Sequence, residues 1–266
     1  MGPFFLLYLV TLLFGLLVGS FLNVCIYRIP RGESIVYPGS HCPHCNHAIQ
    51  PWENIPVLSF LGLQGKCRYC QTPISWRYPV VELLTAAFFV LFVHQYAVSF
   101  EAFWYLILTC ALIVISFIDL DYQIIPDKLS LPGIVVGFIA SFFLPLSWYD
   151  SLLGILAGGG IILVVGYVGK WVFKKEAMGD GDVKLMAMIG AFLGWKLVLL
   201  TLFFASLVGA VVGIVFKLVT GKDYIPFGPF LSAGALLALF FGEKLFFWYW
   251  NFILPPQVSQ VSAILR

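Results

Sequence analysis

The sequence predicts an all-α polytopic membrane protein with about eight transmembrane helices and one small loop domain outside the membrane. Of its 266 residues, 61% are hydrophobic and only 11% are charged, and the mean hydropathy is +0.97. A soluble globular domain has about 45–50% apolar and about 25% charged residues. The apolar runs are continuous rather than alternating, which favours helices over a β-barrel. The net charge of +2, without a basic run, gives no indication of nucleic-acid binding.

Eight apolar stretches are close to the length of about twenty residues that one crossing needs. They are roughly 4–24, 80–98, 103–118, 129–146, 151–169, 184–195, 197–216 and 228–250. The sixth is short and contains Gly190 and Gly194, so we expect a tilted, broken or re-entrant helix there. Residues 1–25 are predicted to be a retained first helix, because no basic region precedes the apolar run and no small-residue cleavage pattern follows it.

The chain divides further into a loop domain at 26–79, a transmembrane domain at 80–254 and a short tail at 255–266. Lysine and arginine indicate the orientation, because they are enriched in cytoplasmic loops. If the N-terminus is outside, the inner loops contain twelve such residues, namely Arg28, Arg31, Lys66, Arg68, Arg77, Lys128, Lys170, Lys174, Lys175, Lys184, Lys217 and Lys222. The outer side then has three, Lys196, Lys244 and Arg266. This asymmetry predicts a cytoplasmic loop domain.

Two Cys-x-x-Cys pairs stand in the loop domain, Cys42 with Cys45 and Cys67 with Cys70. Each pair can hold one side of a tetrahedral metal ion with thiolates, which predicts a structural Zn²⁺ site. A reducing compartment weighs against disulfides. Four cysteine ligands leave no open position for catalysis, and metal binding would supply much of the folding energy of this loop.

Other interpretations of the cysteines and histidines remain open at this point. The four thiols could be free or form a redox pair. His41, His44 or His47 could replace a cysteine ligand, although each is more simply a loop residue. Cys25 and Cys110 are in or beside apolar helices and are most simply small buried residues.

Two acidic stretches directly adjoin apolar segments. They are Asp119–Asp127 and Met178–Lys184. Charge is costly at membrane depth and indicates function there. We expect one aspartate from each stretch to meet the other, so that one carboxyl group stays protonated while the other acts as a base toward a shared water.

The choice of aspartates is open from chemistry alone. Asp119 directly follows an apolar run, but Asp121 is also available, and Asp180 competes with Asp182. Asp127 follows a proline and is predicted to be a helix N-cap. Asp180 is expected to be solvated, Asp223 and Glu176 to be surface charges, and Lys184 to anchor its helix at the interface. Gly179 and Gly181 would let the backbone approach a substrate strand closely.

The sequence resembles the prepilin peptidases, also called type 4 prepilin leader peptidase/N-methyltransferases, which are bacterial inner-membrane aspartic proteases of the Gly-x-Gly-Asp type. The resemblance covers nearly the whole chain. It is carried by Gly19–Val24, Tyr27–Pro30, the paired cysteines, Pro51–Pro56, Ser75–Pro79, Glu82, Ile118–Asp127 and Gly179–Asp182.

The resemblance implies that the catalytic residues are Asp119, before the Leu-x-x-x-x-Ile-Pro-Asp run, and Asp182, which closes Gly-x-Gly-Asp. It implies type IV prepilins and type II secretion pseudopilins as substrates, cleaved after the glycine of a short basic leader on the cytoplasmic face. It also implies N-methylation of the new N-terminal residue with S-adenosylmethionine, for which the sequence offers no independent glycine-rich motif. The cysteine domain accompanies this bifunctional form.

Two other function classes remain possible from the residues. A secondary transporter or proton channel could use Asp119 and Asp182 as a proton relay, since aspartates at broken helices are typical of transporters. The cysteine loop argues against this class, because transport needs no zinc site. The chain could also be a membrane-anchored zinc interaction module whose aspartates only cap helices.

Overall fold

The regular structure of the described residues is helical. The computed structural model describes residues 3–174, 178–221 and 225–253. The helices are α1 (Pro3–Arg28), α2 (Leu58–Gly62), α3 (Arg77–Tyr96), α4 (Phe100–Tyr122), α5 (Asp127–Ala140), α6 (Trp148–Phe173), α7 (Asp180–Thr220) and α8 (Gly228–Ile253). Six of them, α1, α3, α4, α6, α7 and α8, are long and apolar enough to cross a membrane. The predicted fold class is confirmed.

The eight predicted spans and these six helices differ at two places. Helix α5, predicted as the span 129–146, has only 14 residues and contains Pro132. The predicted spans 184–195 and 197–216 form the single element α7, which has 41 residues. A straight helix of that length would extend about 60 Å, twice the hydrocarbon thickness of a bilayer.

Helix α7 turns back on itself at Gly194. This residue has φ 73° and ψ 171°, a combination that is essentially restricted to glycine. The half before Gly194 packs antiparallel to α6, and the half after it packs antiparallel to α8. The close backbone contacts are Gly154 with Gly190 and Gly158 with Met186 in the first case, and Gly234 with Thr201 and Gly242 with Leu197 in the second. Of the three possibilities predicted for the sixth span, tilted, broken or re-entrant, the structure has a break, at Gly194. Both ends of α7 therefore lie at the same end of the bundle.

The bundle packs around buried apolar side chains of α3, α4, α7 and α8. The largest fully buried members of this core include Phe92, Leu108, Leu112, Ile115, Leu185, Met186, Met188, Ile189 and Phe192. Many large apolar side chains are instead exposed along the outer faces of α1, α6 and α7. A continuous exposed apolar surface of this extent fits contact with lipid.

Residues 29–76 lie between α1 and α3 and contain two similar turns, one around each cysteine pair. In the first, the Cys42 N–H donates to the His47 carbonyl at 3.0 Å, and in the second the Cys67 N–H donates to the Thr72 carbonyl at 2.9 Å. An isolated antiparallel bridge closes each turn, His41 with Ala48 and Lys66 with Pro73. The two pairs of thiols are thus presented by the same local backbone geometry.

Candidate active site

The carboxyl groups of Asp119 and Asp182 come together at one end of the bundle, which we call the site end. Asp119 is near the C-terminus of α4 and is 5% exposed, and Asp182 is in the first turn of α7 and is 9% exposed. The two groups are close enough to interact electrostatically. The reversal of α7 and the antiparallel packing of α4 on its neighbours bring these residues, 63 positions apart in the sequence (182 − 119), to the same place.

Asp119 is held by the first residue of α8. The backbone N–H of Gly228 donates to Asp119 Oδ2 at 2.9 Å. A Cβ at position 228 would lie 2.6 Å from the same oxygen, so only glycine allows this approach. The bond also directs the positive end of a helix dipole toward the carboxyl group. Gly228 was missed in the sequence because no chemically reactive residue stands beside it, and the one available signal was the helix start between Pro226 and Pro229.

Asp182 is held by its own helix start. The backbone N–H of Gly179 donates to Asp182 Oδ2 at 3.3 Å. The Asp182 N–H in turn donates to the Gly179 carbonyl at 3.1 Å. These two bonds, the first of which is the N3 carboxylate half of a capping box, fix the carboxyl group against the N-terminus of α7. The second oxygen of each aspartate accepts no hydrogen bond within the described part of the chain and is available to a water or substrate.

The two glycines of the motif have different surroundings. Gly179 is exposed and extended, and both of its backbone polar groups are engaged with Asp182. Gly181 lies against Ile125, where an added Cβ would be 2.8 Å from the Ile125 Cβ. Gly181 therefore lets the segment before α5 pack closely on α7. Contact of either glycine with a substrate strand stays a prediction.

Asp127 is not the N-cap of α5. Pro126 occupies that position, and Asp127 is the first helical residue. Its two carboxylate oxygens are 2.7 and 2.9 Å from Lys184 Nζ. The N-cap prediction was wrong because the carboxylate has a stronger partner across the helix interface. Lys184, expected only as an interface anchor, connects α7 to α5 beside the aspartate pair.

The remaining acidic residues are outside the pair. Asp121 forms an ion pair with Arg77 at the start of α3, which links α4 to the end of the loop domain. Asp180 is exposed at the first position of α7, as expected for a solvated residue. Glu176 and Asp223 lie outside the described residues.

The four predicted cysteine ligands form one cluster. Their Sγ atoms all lie within 4.8 Å of one another, and Cys42 Sγ is 3.8 Å from Cys70 Sγ. Tetrahedral zinc with Zn–S bonds of about 2.3 Å separates its sulfur ligands by about 3.8 Å, so the cluster fits zinc. Hydrogen bonds between the Cys70 thiol and the side chain and backbone of Thr72 lower the pKa of this thiol to about 6.

The histidines do not join this cluster among the described residues. The ring of His47 instead lies on Tyr69, with 3.5 Å between the ring centroids. Cys25 is buried, as predicted, and Cys110 is half-buried.

Comparison with known proteins gives two family matches along the chain. The model of the Bacterial Peptidase A24 N-terminal domain matches residues 13–96, and that of the Type IV leader peptidase family matches residues 106–214. No solved structure gives a significant match.

Three relatives are each named prepilin leader peptidase/N-methyltransferase. The one from Myxococcus xanthus is 46% identical, over 83% of this chain and 66% of its own length. The one from Pseudomonas aeruginosa is 39% identical, over 89% of this chain and 91% of its own length. The Aeromonas hydrophila protein is also 39% identical, with the same coverage of 89% and 91%. The transporter interpretation finds no support in these matches, and the resemblance drawn from the sequence motifs is confirmed: the chain belongs to the type IV leader peptidase family.

Proposed function

We propose that the protein removes the short basic leader from type IV prepilins and from type II secretion pseudopilins, with Asp119 and Asp182 as its catalytic residues. The observation that carries this proposal is the meeting of two buried carboxyl groups, each bound by one backbone N–H, at one end of the bundle. The names of the relatives supply the substrate class.

The pair suits general acid–base hydrolysis of a peptide bond. Two neighbouring carboxyl groups do not readily ionise together, so one is protonated while the other is a carboxylate. The carboxylate takes a proton from water as the water oxygen attacks the scissile carbonyl, and the protonated partner donates to the carbonyl oxygen. Collapse of the resulting diol breaks the C–N bond, and the amine leaves with a proton. The Gly228 and Gly179 N–H groups keep both side chains oriented for these transfers.

The distribution of basic residues supports a site that faces the cytoplasm of a bacterial inner membrane, with the N-terminus outside. The ends of α1, α3, α5 and α6 at the site end carry Arg28, Arg77, Lys128 and Lys170. The positive-inside tendency assigns such an end to the cytoplasm. An apolar substrate helix in the bilayer would then present its leader junction at the level of the aspartates.

We also propose that the protein methylates the amine that cleavage exposes, as the N-methyltransferase part of the relatives' names suggests. S-adenosylmethionine would supply the methyl group: the neutral amine nitrogen bonds to the methyl carbon while the carbon–sulfur bond breaks and its electron pair stays on sulfur. Zinc at the four cysteines would have a structural role, because the cluster already supplies four ligands.

The test uses full-length protein purified in detergent and a prepilin substrate, with products read by mass. We expect wild type to remove the leader and Asp119→Asn and Asp182→Asn each to lose at least about 10³-fold in rate. Asp180→Asn is the matched control, since Asp180 is exposed two residues before Asp182, and it should cleave normally. Cleavage that persists in the Asp119→Asn, Asp182→Asn double variant would overturn the mechanism and favour the zinc interaction module.

A gain of one methyl mass in the presence of S-adenosylmethionine tests the second activity separately. Wild-type protein that cleaves the leader but never adds this mass would remove the methylation proposal and leave the peptidase proposal intact.

A further inference from the structure

The short helix α2 of the loop domain lies beside the first turns of α3. The backbone N–H of Val57, the residue before α2, donates to Glu82 Oε2 at 2.7 Å, and Glu82 is in the second turn of α3. The ring centroid of Phe60 in α2 is 4.8 Å from that of Trp76, the residue before α3. These two contacts fix α2 at the level where α3 begins.

That level is an edge of the bilayer. Helix α3 has 20 residues, so it rises about 30 Å, which is close to the hydrocarbon thickness of a membrane. Nearly all of its length is needed for one crossing, and its first turns therefore lie at the boundary between acyl chains and headgroups. In these turns Val80, Leu83 and Leu84 are exposed, as expected for residues in contact with lipid.

Helix α2 has two different sides. Ser59 and Phe60 line a cavity of about 400 Å³ between the loop domain and the site end of the bundle. Leu58 and Leu61 are outside the lining of this cavity and are 67% and 59% exposed. Because residues three apart lie on the same face of a helix, the two leucines form one outward apolar face, which we call the α2 face.

The residues beside the α2 face are of the kind found at membrane surfaces. Trp52, Ile55 and Trp76 are exposed. The Ser59 hydroxyl donates to the Trp52 carbonyl at 2.9 Å, which keeps the backbone of Trp52 against α2. Tryptophan is enriched at the membrane–water interface, where its ring lies at the level of the headgroups. The surroundings of the α2 face thus fit the same boundary as the start of α3.

A strained turn holds the beginning of α2 in place. Val57 has φ 61° and ψ −48°, a conformation that is unfavourable for a β-branched residue. The Leu58 N–H donates to the Pro56 carbonyl at 2.6 Å, which closes a tight γ-turn around Val57. Such strain persists only where the surroundings fix the residue, and the buried Glu82 does so through the Val57 N–H. Leu58 is therefore presented outward from a fixed point on α3.

We propose that Leu58 and Leu61 insert into the bilayer leaflet at the site end, so that α2 attaches the loop domain to the membrane surface. The partner of the α2 face is lipid because this face lies level with Val80 and Leu83, which already belong to the lipid-facing surface of α3. Interfacial helices bury their apolar face about 5–10 Å into the boundary between headgroups and acyl chains. The attachment keeps the loop domain at a fixed depth over the site end.

The test uses full-length protein in phosphatidylcholine vesicles that contain a photoreactive phosphatidylcholine, with the diazirine either in the acyl chain or on the headgroup. Labelled residues are identified by mass. We expect the acyl-chain probe to label Leu58 and Leu61 within about threefold of Val80, and at least about tenfold more strongly than Gln71. Gln71 is the reference for an exposed polar residue of the loop domain.

A charged double variant tests the two leucines directly. Leu58→Asp with Leu61→Asp should lower acyl-chain labelling of α2 at least about tenfold, because carboxylates oppose insertion into hydrocarbon. Gln64→Asp with Gln71→Asp is the matched control: it adds the same two charges at exposed positions of the loop domain and should leave the labelling of α2 unchanged. Labelling of Val80 in the same samples shows that the bundle is folded and inserted.

Three results would overturn the inference. The first is a wild-type α2 that the headgroup probe labels and the acyl-chain probe does not. The second is protection of α2 from both probes together with a dimeric mass in detergent, which would identify a second copy of the chain as the partner of the α2 face. The third is acyl-chain labelling of α2 that the two aspartates leave unchanged. Because no substrate is present, each result is independent of the proposed cleavage and methylation.

Discussion

Replacement of Gly228 by alanine tests the geometry of the proposed catalytic pair, Asp119 and Asp182, most directly. The added Cβ would be 2.6 Å from Asp119 Oδ2, whereas ordinary contact begins at 3.4 Å, so the two atoms must separate by 0.8 Å (3.4 − 2.6). Either the start of α8 moves or the Asp119 carboxyl group rotates away from the Gly228 N–H. Both responses weaken the 2.9 Å hydrogen bond from the Gly228 N–H that orients the Asp119 carboxyl group.

The expected cost follows from two magnitudes. A hydrogen bond to a charged group contributes about 1.5–3 kcal/mol, and a misplacement of about 1 Å in a catalytic group lowers the rate by about 10²-fold. We therefore expect kcat for leader cleavage to fall about 100-fold, or about 2.7 kcal/mol in activation free energy. KM should change little, because the substitution acts on the orientation of Asp119.

Initial rates on a purified prepilin, with the thermal midpoint measured on the same samples, check this expectation. Gly213→Ala in α7 is the matched control, because nothing lies within 4 Å of a Cβ at that position, and it should retain both rate and stability. A Gly228→Ala rate within threefold of wild type would refute the claim that this N–H orients Asp119.

Three further expectations concern packing, backbone conformation and metal. Gly181→Val should inactivate the enzyme because its side chain meets Ile125, whose Cβ would be 2.8 Å from the new Cβ. Ile125→Gly in the same chain removes that atom and should restore part of the rate. Gly194→Ala should lower the free energy of unfolding by about 1–3 kcal/mol, because φ 73° and ψ 171° disfavour any side chain. Denaturant titration measures this change, and an unchanged unfolding midpoint would contradict the reversal of α7 at Gly194. Metal analysis should find one zinc per chain. Cys45→Ser or a chelator should remove the zinc and make residues 29–76 sensitive to protease, while the helical bundle stays resistant. A metal-free wild-type protein whose loop resists protease would contradict the zinc site.

The loop domain shows which structural features short sequence patterns can predict. The two Cys-x-x-Cys spacings sufficed to predict a four-sulfur cluster, because each pair is presented by a turn that depends on only a few neighbouring residues. The shortness of the sixth apolar stretch and its glycines likewise sufficed to predict a tilted, broken or re-entrant helix there, and the structure has a break at Gly194. In both cases the decisive interactions are close in the sequence.

Asp127 and Gly228 illustrate the opposite case. A proline before Asp127 made it resemble an N-cap, but its carboxylate binds Lys184 from another helix. Nothing in the sequence around Gly228 indicates that its N–H reaches Asp119, which is 109 positions earlier. Both interactions depend on how helices cross, and that is fixed by packing among many side chains and not by any short motif.

By itself, the sequence determined that this is a helical membrane protein with a four-cysteine loop and two acidic stretches beside apolar segments, because composition, cysteine spacing and the placement of charge are local properties. The family was also evident in its motifs. Only the tertiary structure decided that α7 returns to the end where it began and that α8 supplies the donor to Asp119. The physical reason is that these features arise where distant segments meet, at contacts whose geometry the bundle sets as a whole.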